Sequence, residues 1–198
     1  MSSLYSDPAF TRGSTLLSLS STDTVTTDSV GIVEGRAVVG QVKIFQDINP
    51  TTKAILSDRL VYCVAARYKG SSALDATANA GSVYLFDPAS PLDTFGNTGG
   101  ALASTSNLTN SAQMFGVLDE YLTGTVQPND IVWLVVKGPT SVKQTAAAIG
   151  AGAVVGSSAT AGSVAAFSSG AVLGAQLVGA SKSDSGTLCR VNLASSYV

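Results

Sequence analysis

The chain contains no histidine. That absence removes the Ser-His-Asp triad, the Cys-His pair, the metalloprotease helix motif and most catalytic zinc sites, all of which need an imidazole. Glutamate is nearly absent as well. Glu34 and Glu120 are the only two in 198 residues, so a two-glutamate glycosidase site exists only if they converge, and nothing in the sequence brings them together. Charged residues make up 12%, against about 25% in an average globular protein. The 11 Lys and Arg residues are scattered, and the net charge is −2. No basic stripe is present to neutralise phosphates, so direct nucleic-acid binding is not expected. The two cysteines, Cys63 and Cys189, each sit inside an apolar run. They are too far apart in sequence for a zinc motif and read as buried thiols packing as small hydrophobes, in preference to a disulfide. Long hydrophobic runs are missing too, since no stretch reaches the ~20 apolar residues of a membrane helix. Residues 146–155 are apolar but short and broken by Gly150 and Gly152. Residues 1–7 lack the basic region and apolar run of a signal peptide. The expectation is a soluble chain made in a cytoplasm, with no cofactor, no metal and no membrane partner.

What is present is β-type patterning. Hydrophobic residues reach 45%, with 20 glycines. Residues 1–30 are rich in Ser and Thr, and Leu16-Leu17-Ser18-Leu19 is their one apolar run, which reads as an extended arm with at most one strand. From residue 32 the pattern changes. In Ile32 to Phe45, Val38, Val42 and Ile44 share one alternation, while Gln41 and Lys43 share the other. Asn49-Pro50 marks a turn. Arg59-Leu60-Val61-Tyr62-Cys63-Val64-Ala65-Ala66-Arg67 and Gly81-Ser82-Val83-Tyr84-Leu85-Phe86-Asp87 follow as strands. Residues 88–110, with Pro88, Pro91, Gly96, Gly99 and Gly100, read as a long loop, and such loops are usually functional or mobile. Met114, Phe115, Leu118, Tyr121 and Leu122 recur at helical spacing, which predicts one short helix over about 111–123 with Gly124 as its stop. Asp119-Glu120 then falls on its wet face. Ile131-Val132-Trp133-Leu134-Val135-Val136 is the strongest strand, and its continuous apolar character predicts burial on both faces. Beyond it, short strands recur at about ten-residue spacing, the pattern of a small barrel or sandwich. The fold expected is mainly β: a small β-barrel or sandwich with one short helix and an extended N-terminal arm. The divisions are an arm (1–30), a β-rich region (31–127) and a compact barrel-like region (128–198), the last two read either separately or as one continuous domain.

The motifs that resemble chemistry do not hold up. Asp184-Ser185-Gly186 matches the triplet of aspartic proteases, whose chemistry needs two such aspartates sharing a proton. The second copy is missing, because Asp93-Thr94-Phe95-Gly96 lacks the glycine at the third position. A hairpin turn explains the triplet. Gly138 to Thr145 has a lysine but the wrong glycine spacing for a phosphate loop. Asn107-Leu108-Thr109 is a glycosylation sequon by pattern only. No enzyme is expected.

Residues 128 to 193 carry a resemblance. A turn at Asn129-Asp130 leads into the apolar strand at Ile131 to Val136. An Ala/Gly segment with a short valine strand follows, Ile149-Gly150-Ala151-Gly152-Ala153-Val154-Val155-Gly156. Then come Leu173-Gly174-Ala175-Gln176-Leu177-Val178-Gly179 and the closing Gly186-Thr187-Leu188-Cys189-Arg190-Val191-Asn192-Leu193. This arrangement resembles the capsid decoration, or cement, proteins of tailed phages. The resemblance implies a β-rich, often trimeric protein on the outer surface of an icosahedral capsid. Its partner would be the major capsid protein and its place the virion surface, where it would hold neighbouring capsomers together. On that reading the arm and the 88–110 loop supply candidate capsid or subunit contacts: Leu4, Tyr5, Phe10, Leu16, Leu17 and Phe95. Two other readings stand beside it, a phage tail-tube or fibre component and a carbohydrate- or surface-binding β-module.

Overall fold

A computed structural model describes residues 13, 15–17, 39–87, 90–96, 115–145, 149–166, 177–180 and 188–193. They form thirteen strands. The first six are β1 (Thr15–Leu17), β2 (Val42–Ile48), β3 (Ile55–Tyr68), β4 (Leu74–Asp75), β5 (Val83–Asp87) and β6 (Ser90–Phe95). The rest are β7 (Phe115–Leu118), β8 (Thr125–Val126), β9 (Ile131–Lys143), β10 (Val155–Ser157), β11 (Val164–Ala166), β12 (Leu177–Ala180) and β13 (Leu188–Leu193). The molecule is mainly β, as the alternation and turn chemistry predict.

The main sheet runs β12-β13-β9-β7-β5-β6-β3-β2, and a further pairing of β9 with β3 closes β9, β7, β5, β6 and β3 into a ring. Most contacts are antiparallel. The seam between β3 and β6 is parallel and short, with Arg67 opposite Thr94 and Tyr68 opposite Phe95. Strand β9 is the hub. Its first half pairs with β3 on one side (Ala65 opposite Trp133) and its second half pairs with β13 (Cys189 opposite Val142). Ile131 to Val136 are buried throughout, because neither face of this strand is left to water.

The two faces of the ring carry two apolar clusters. One contains Cys63, Ala65, Leu85, Val117, Trp133 and Val135, and is covered by Val155, Val164, Cys189, Val191 and Leu193 from the C-terminal strands. Cys63 and Cys189 are both buried there as thiols. The other cluster is filled by side chains of the ring itself, including Tyr84, Phe86, Phe95, Leu118 and Leu134, with Ala76, Leu122 and Val126 from the β4 and β8 region. The Tyr68 and Tyr84 rings both lie against Phe95, at centroid distances of 5.4 and 5.1 Å. Burial pushes the Tyr84 hydroxyl well above the usual tyrosine range, and the nearby Tyr68 adds to the shift. Tyr68 donates its hydroxyl proton to the Ser72 carbonyl at 2.9 Å.

Tyr68 also explains Gly96. That residue has φ +84°, and a Cβ there would lie 2.4 Å from Cε2 of Tyr68. Left-handed strain and overpacking therefore act together. Gly96→Ala is expected to cost roughly 2–3 kcal/mol from these two effects. The shift in the urea midpoint checks it, and a midpoint equal to wild type would contradict the packing described.

Three expectations need correction. The helix over 111–123 does not form: Phe115–Leu118 is a strand followed by a turn, and no helix occurs among the described residues. All four residues of β7 are buried, so its apolar run mimics helical spacing without any wet face. Gly116 lets β9 approach closely, since a Cβ there would sit 2.8 Å from Leu134 Cβ. Second, the 88–110 loop contains strand β6, which completes the ring; residues 97–110 lie outside the described residues. Third, Asp119 and Glu120 are not a wet face. Asp119 is buried and the Glu120 side chain is only 6% exposed.

Candidate functional site

The hairpin of β2 and β3 is built by a local turn. Asn49 Oδ1 accepts hydrogen bonds from the Thr51 and Thr52 amides at 2.9 and 3.0 Å. The Asn49 amide donates to the Ala54 carbonyl at 2.9 Å, and Lys53 takes the left-handed conformation that completes the reversal. The antiparallel register then sets Val42 opposite Val64, Ile44 opposite Tyr62 and Gln46 opposite Leu60. Side chains at alternate positions share a face, so Val42, Ile44, Leu60 and Tyr62 form one surface.

That surface faces water. Val42, Leu60 and Ile44 are 42%, 46% and 51% exposed, and Ile55 near the tip reaches 73%, with Leu56 beside it. Tyr62 is half-buried against the ring's own cluster, and Lys137 Nζ stands 4.9 Å above its ring. The opposite face of β2 turns inward. Phe45 meets Trp133 edge to face at 5.6 Å, and Asp47 is wholly buried. Scattered exposed aliphatics are ordinary, but several on one continuous strand face make this the candidate interaction surface among the described residues.

A buried ionic cluster holds the hairpin in place. Arg190 on β13 donates from Nη2 to Asp47 and from Nη1 to Glu120 Oε1 at 2.9 Å. Ser57 Oγ donates to Asp47 Oδ2 at 2.6 Å. Glu120 Oε2 accepts from the Ser141 amide and from Thr140 Oγ1. One guanidinium thus ties β2, β13 and the turn after β7 together, and the fork of its donors suits two carboxylates at once. The role is positional. Both carboxylates are held inside the fold.

The residues expected to make contacts fall into three groups. Leu4, Tyr5 and Phe10 lie outside the described residues, as do Asp184-Ser185-Gly186 and the sequon at Asn107. Leu16 and Leu17 belong to β1, which pairs with β9 of its own chain, Leu17 opposite Ile131 and Thr15 opposite Val132. Phe95 is a correction. It is fully buried between Tyr68 and Tyr84, so it is core, placed there because β6 closes the ring. The exposed face on the hairpin was missed by sequence reasoning. The signal was present, because Val42 and Ile44 share an alternation, but an apolar alternation is ordinarily the inward one.

Among the described residues no group of three or more His, Cys, Asp or Glu side chains is placed to hold a metal ion. No helix among them is long and apolar enough to cross a membrane. No family model, curated protein or solved structure matches the chain.

Proposed function

We propose that this chain is a structural virion protein that binds the outer surface of an icosahedral phage capsid and cements neighbouring capsomers, acting as a homo-oligomer. The observation that carries the reading is the aliphatic face of Val42, Ile44 and Leu60, presented on a hairpin that the Arg190 cluster fixes to the barrel. An apolar face held on a fixed hairpin gains free energy on contact at a reduced ordering cost, and burying one such aliphatic contributes about 1.5–3 kcal/mol. A lattice of identical sites multiplies modest contacts through multivalency. The likeness of residues 128–193 to cement proteins supports the same reading, as does the missing acid–base inventory.

The test is co-sedimentation of the purified chain with capsids stripped of it. Ile44→Ser with Leu60→Ser is expected to weaken binding about 100-fold, the cost of removing two central anchors. Both positions are exposed, so the thermal midpoint should not move. Failure of the wild-type chain to bind capsids would sink the proposal.

A further inference from the structure

The ladder between β2 and β3 changes register at Asp47. From Val42 opposite Val64 to Gln46 opposite Leu60 the pairing is continuous, but Ile48 then stands opposite Ile55. Leu56, Ser57, Asp58 and Arg59 are thus set against Asp47 alone, a long bulge on β3. The bulge closes on the buried cluster, because Ser57 Oγ donates to Asp47 Oδ2 at 2.6 Å and Arg190 donates to Asp47 Oδ1.

Carried on without the shift, the same register would bring Arg59 opposite Asp47 and Asp58 opposite Ile48. An opposite-charge pair across two strands is itself favourable. The turn tolerates that register too. The Ala65 amide donates to the Gln41 carbonyl, so the odd positions of β2 are the hydrogen-bonded ones. Pro50 then falls at an even position, where its missing N–H costs no ladder bond. Burial does not choose between the registers at the tip, since Ile55, Leu56, Asp58 and Arg59 are all exposed.

We infer that the hairpin tip has two registers and that Arg190 selects between them. While β13 is docked, Arg190 holds Asp47 and the bulged register stands. Without Arg190, Arg59 takes its place on Asp47 and the ladder runs on continuously. Two cations therefore compete for one carboxylate. Arg190 prevails in the complete fold because the same guanidinium also serves Glu120, and because Ser57 reaches Asp47 only from the bulge. Its loss favours the slip, since a buried carboxylate deprived of its cation is strongly disfavoured and Arg59 is the cation that one slip delivers. Fixing register is the best-attested use of a buried ionic group. The pairs from Val42 to Gln46 keep their partners in both registers, so the change is confined to the tip. The tip thus takes its final shape only once a strand that lies 143 residues further along the chain is in place. This lock stands independently of the capsid-binding reading.

Engineered cysteine pairs in the full chain read the register. Ile48→Cys with Ile55→Cys joins positions opposed in the bulged register, and Ile48→Cys with Asp58→Cys joins positions opposed in the continuous one. Both are non-hydrogen-bonded pairs, whose Cα atoms lie ~4.5 Å apart and suit a disulfide. Oxidation yields are measured by peptide mass spectrometry, with Trp133 fluorescence verifying the fold. With Arg190 present, the bridge at 48 and 55 should exceed that at 48 and 58 by at least about 10-fold, the ratio expected of a minor state. Arg190→Met should reverse the preference, and adding Arg59→Ser should abolish the reversal. Should Arg190→Met not keep the native spectrum, Arg190→Lys with Ser57→Ala, which retains a cation for Glu120, is read in the same way. Equal yields with Arg190 present, or a preference for 55 that survives its replacement, would overturn the inference. A reversal that persists after Arg59→Ser would overturn it too, since the tip would then merely have loosened.

Discussion

Gly138→Ala is expected to cost about 4–5 kcal/mol, a large share of the 5–15 kcal/mol that holds a typical domain. Gly138 has φ +93°, and a Cβ there would lie 2.1 Å from the carbonyl oxygen of Leu60. The obstacle is backbone, so no rotamer change relieves it. This glycine stands where β9 passes from its pairing with β3 to its pairing with β13, opposite Leu193. A side chain forces β9 away from β3 at the junction that both apolar clusters share. The strained conformation alone accounts for ~1–3 kcal/mol, and the displaced strand accounts for the rest through lost packing. Gly150→Ala is the control. A Cβ there meets nothing within 4 Å, so it should stay within about 0.5 kcal/mol of wild type. Urea unfolding followed by Trp133 fluorescence reads both, and equal midpoints for the two variants would refute the crossing geometry.

The second large effect belongs to Arg190. Arg190→Met is expected to cost about 3–5 kcal/mol, because it removes the guanidinium that pairs with two buried carboxylates at once. Asp47 is 0% exposed and the Glu120 side chain 6%, so water does not replace the lost partner. Adding Asp47→Asn and Glu120→Gln to Arg190→Met should recover most of that loss. The amides retain acceptors for Ser57, Thr140 and Ser141 and carry no charge to leave uncompensated. If the single variant lost less than ~1 kcal/mol, the cluster would behave like a solvent-screened surface pair, contrary to its burial. If the triple variant stayed as unstable as the single one, buried charge would not be the cause.

These two residues also show what a sequence does and does not disclose. The strands were legible wherever burial leaves a periodic trace. Leu188 to Leu193 alternates half-buried with buried positions in strict order, and Ile131 to Val136 is apolar without a break because both its faces are covered. The turn at Asn49-Pro50 was legible from its chemistry and sits at the head of the hairpin. Strand β7 was not legible, because Phe115-Gly116-Val117-Leu118 is buried all round and its spacing fits two periodicities equally. The Arg190 cluster was hidden for another reason. Its partners lie 143 and 70 residues away in sequence, and no local pattern encodes such a meeting. The aliphatic face was misdirected by the rule that made the core legible. Val42 and Ile44 carry the core's alternation on the outward side of β2, while Lys43, Phe45 and Asp47 take the other side.

The position of β9 at the hub has a consequence for biosynthesis. Its partners are β1, β3, β7 and β13, drawn from Thr15 through to Leu193. Nearly every stabilising neighbour is therefore distant along the chain, and loop closure must precede its reward. A ribosome that has made β9 has not yet made β13, so the hub waits with Val142 uncovered. Chains in that state expose apolar strand to one another, the condition that favours aggregation before β13 is paired.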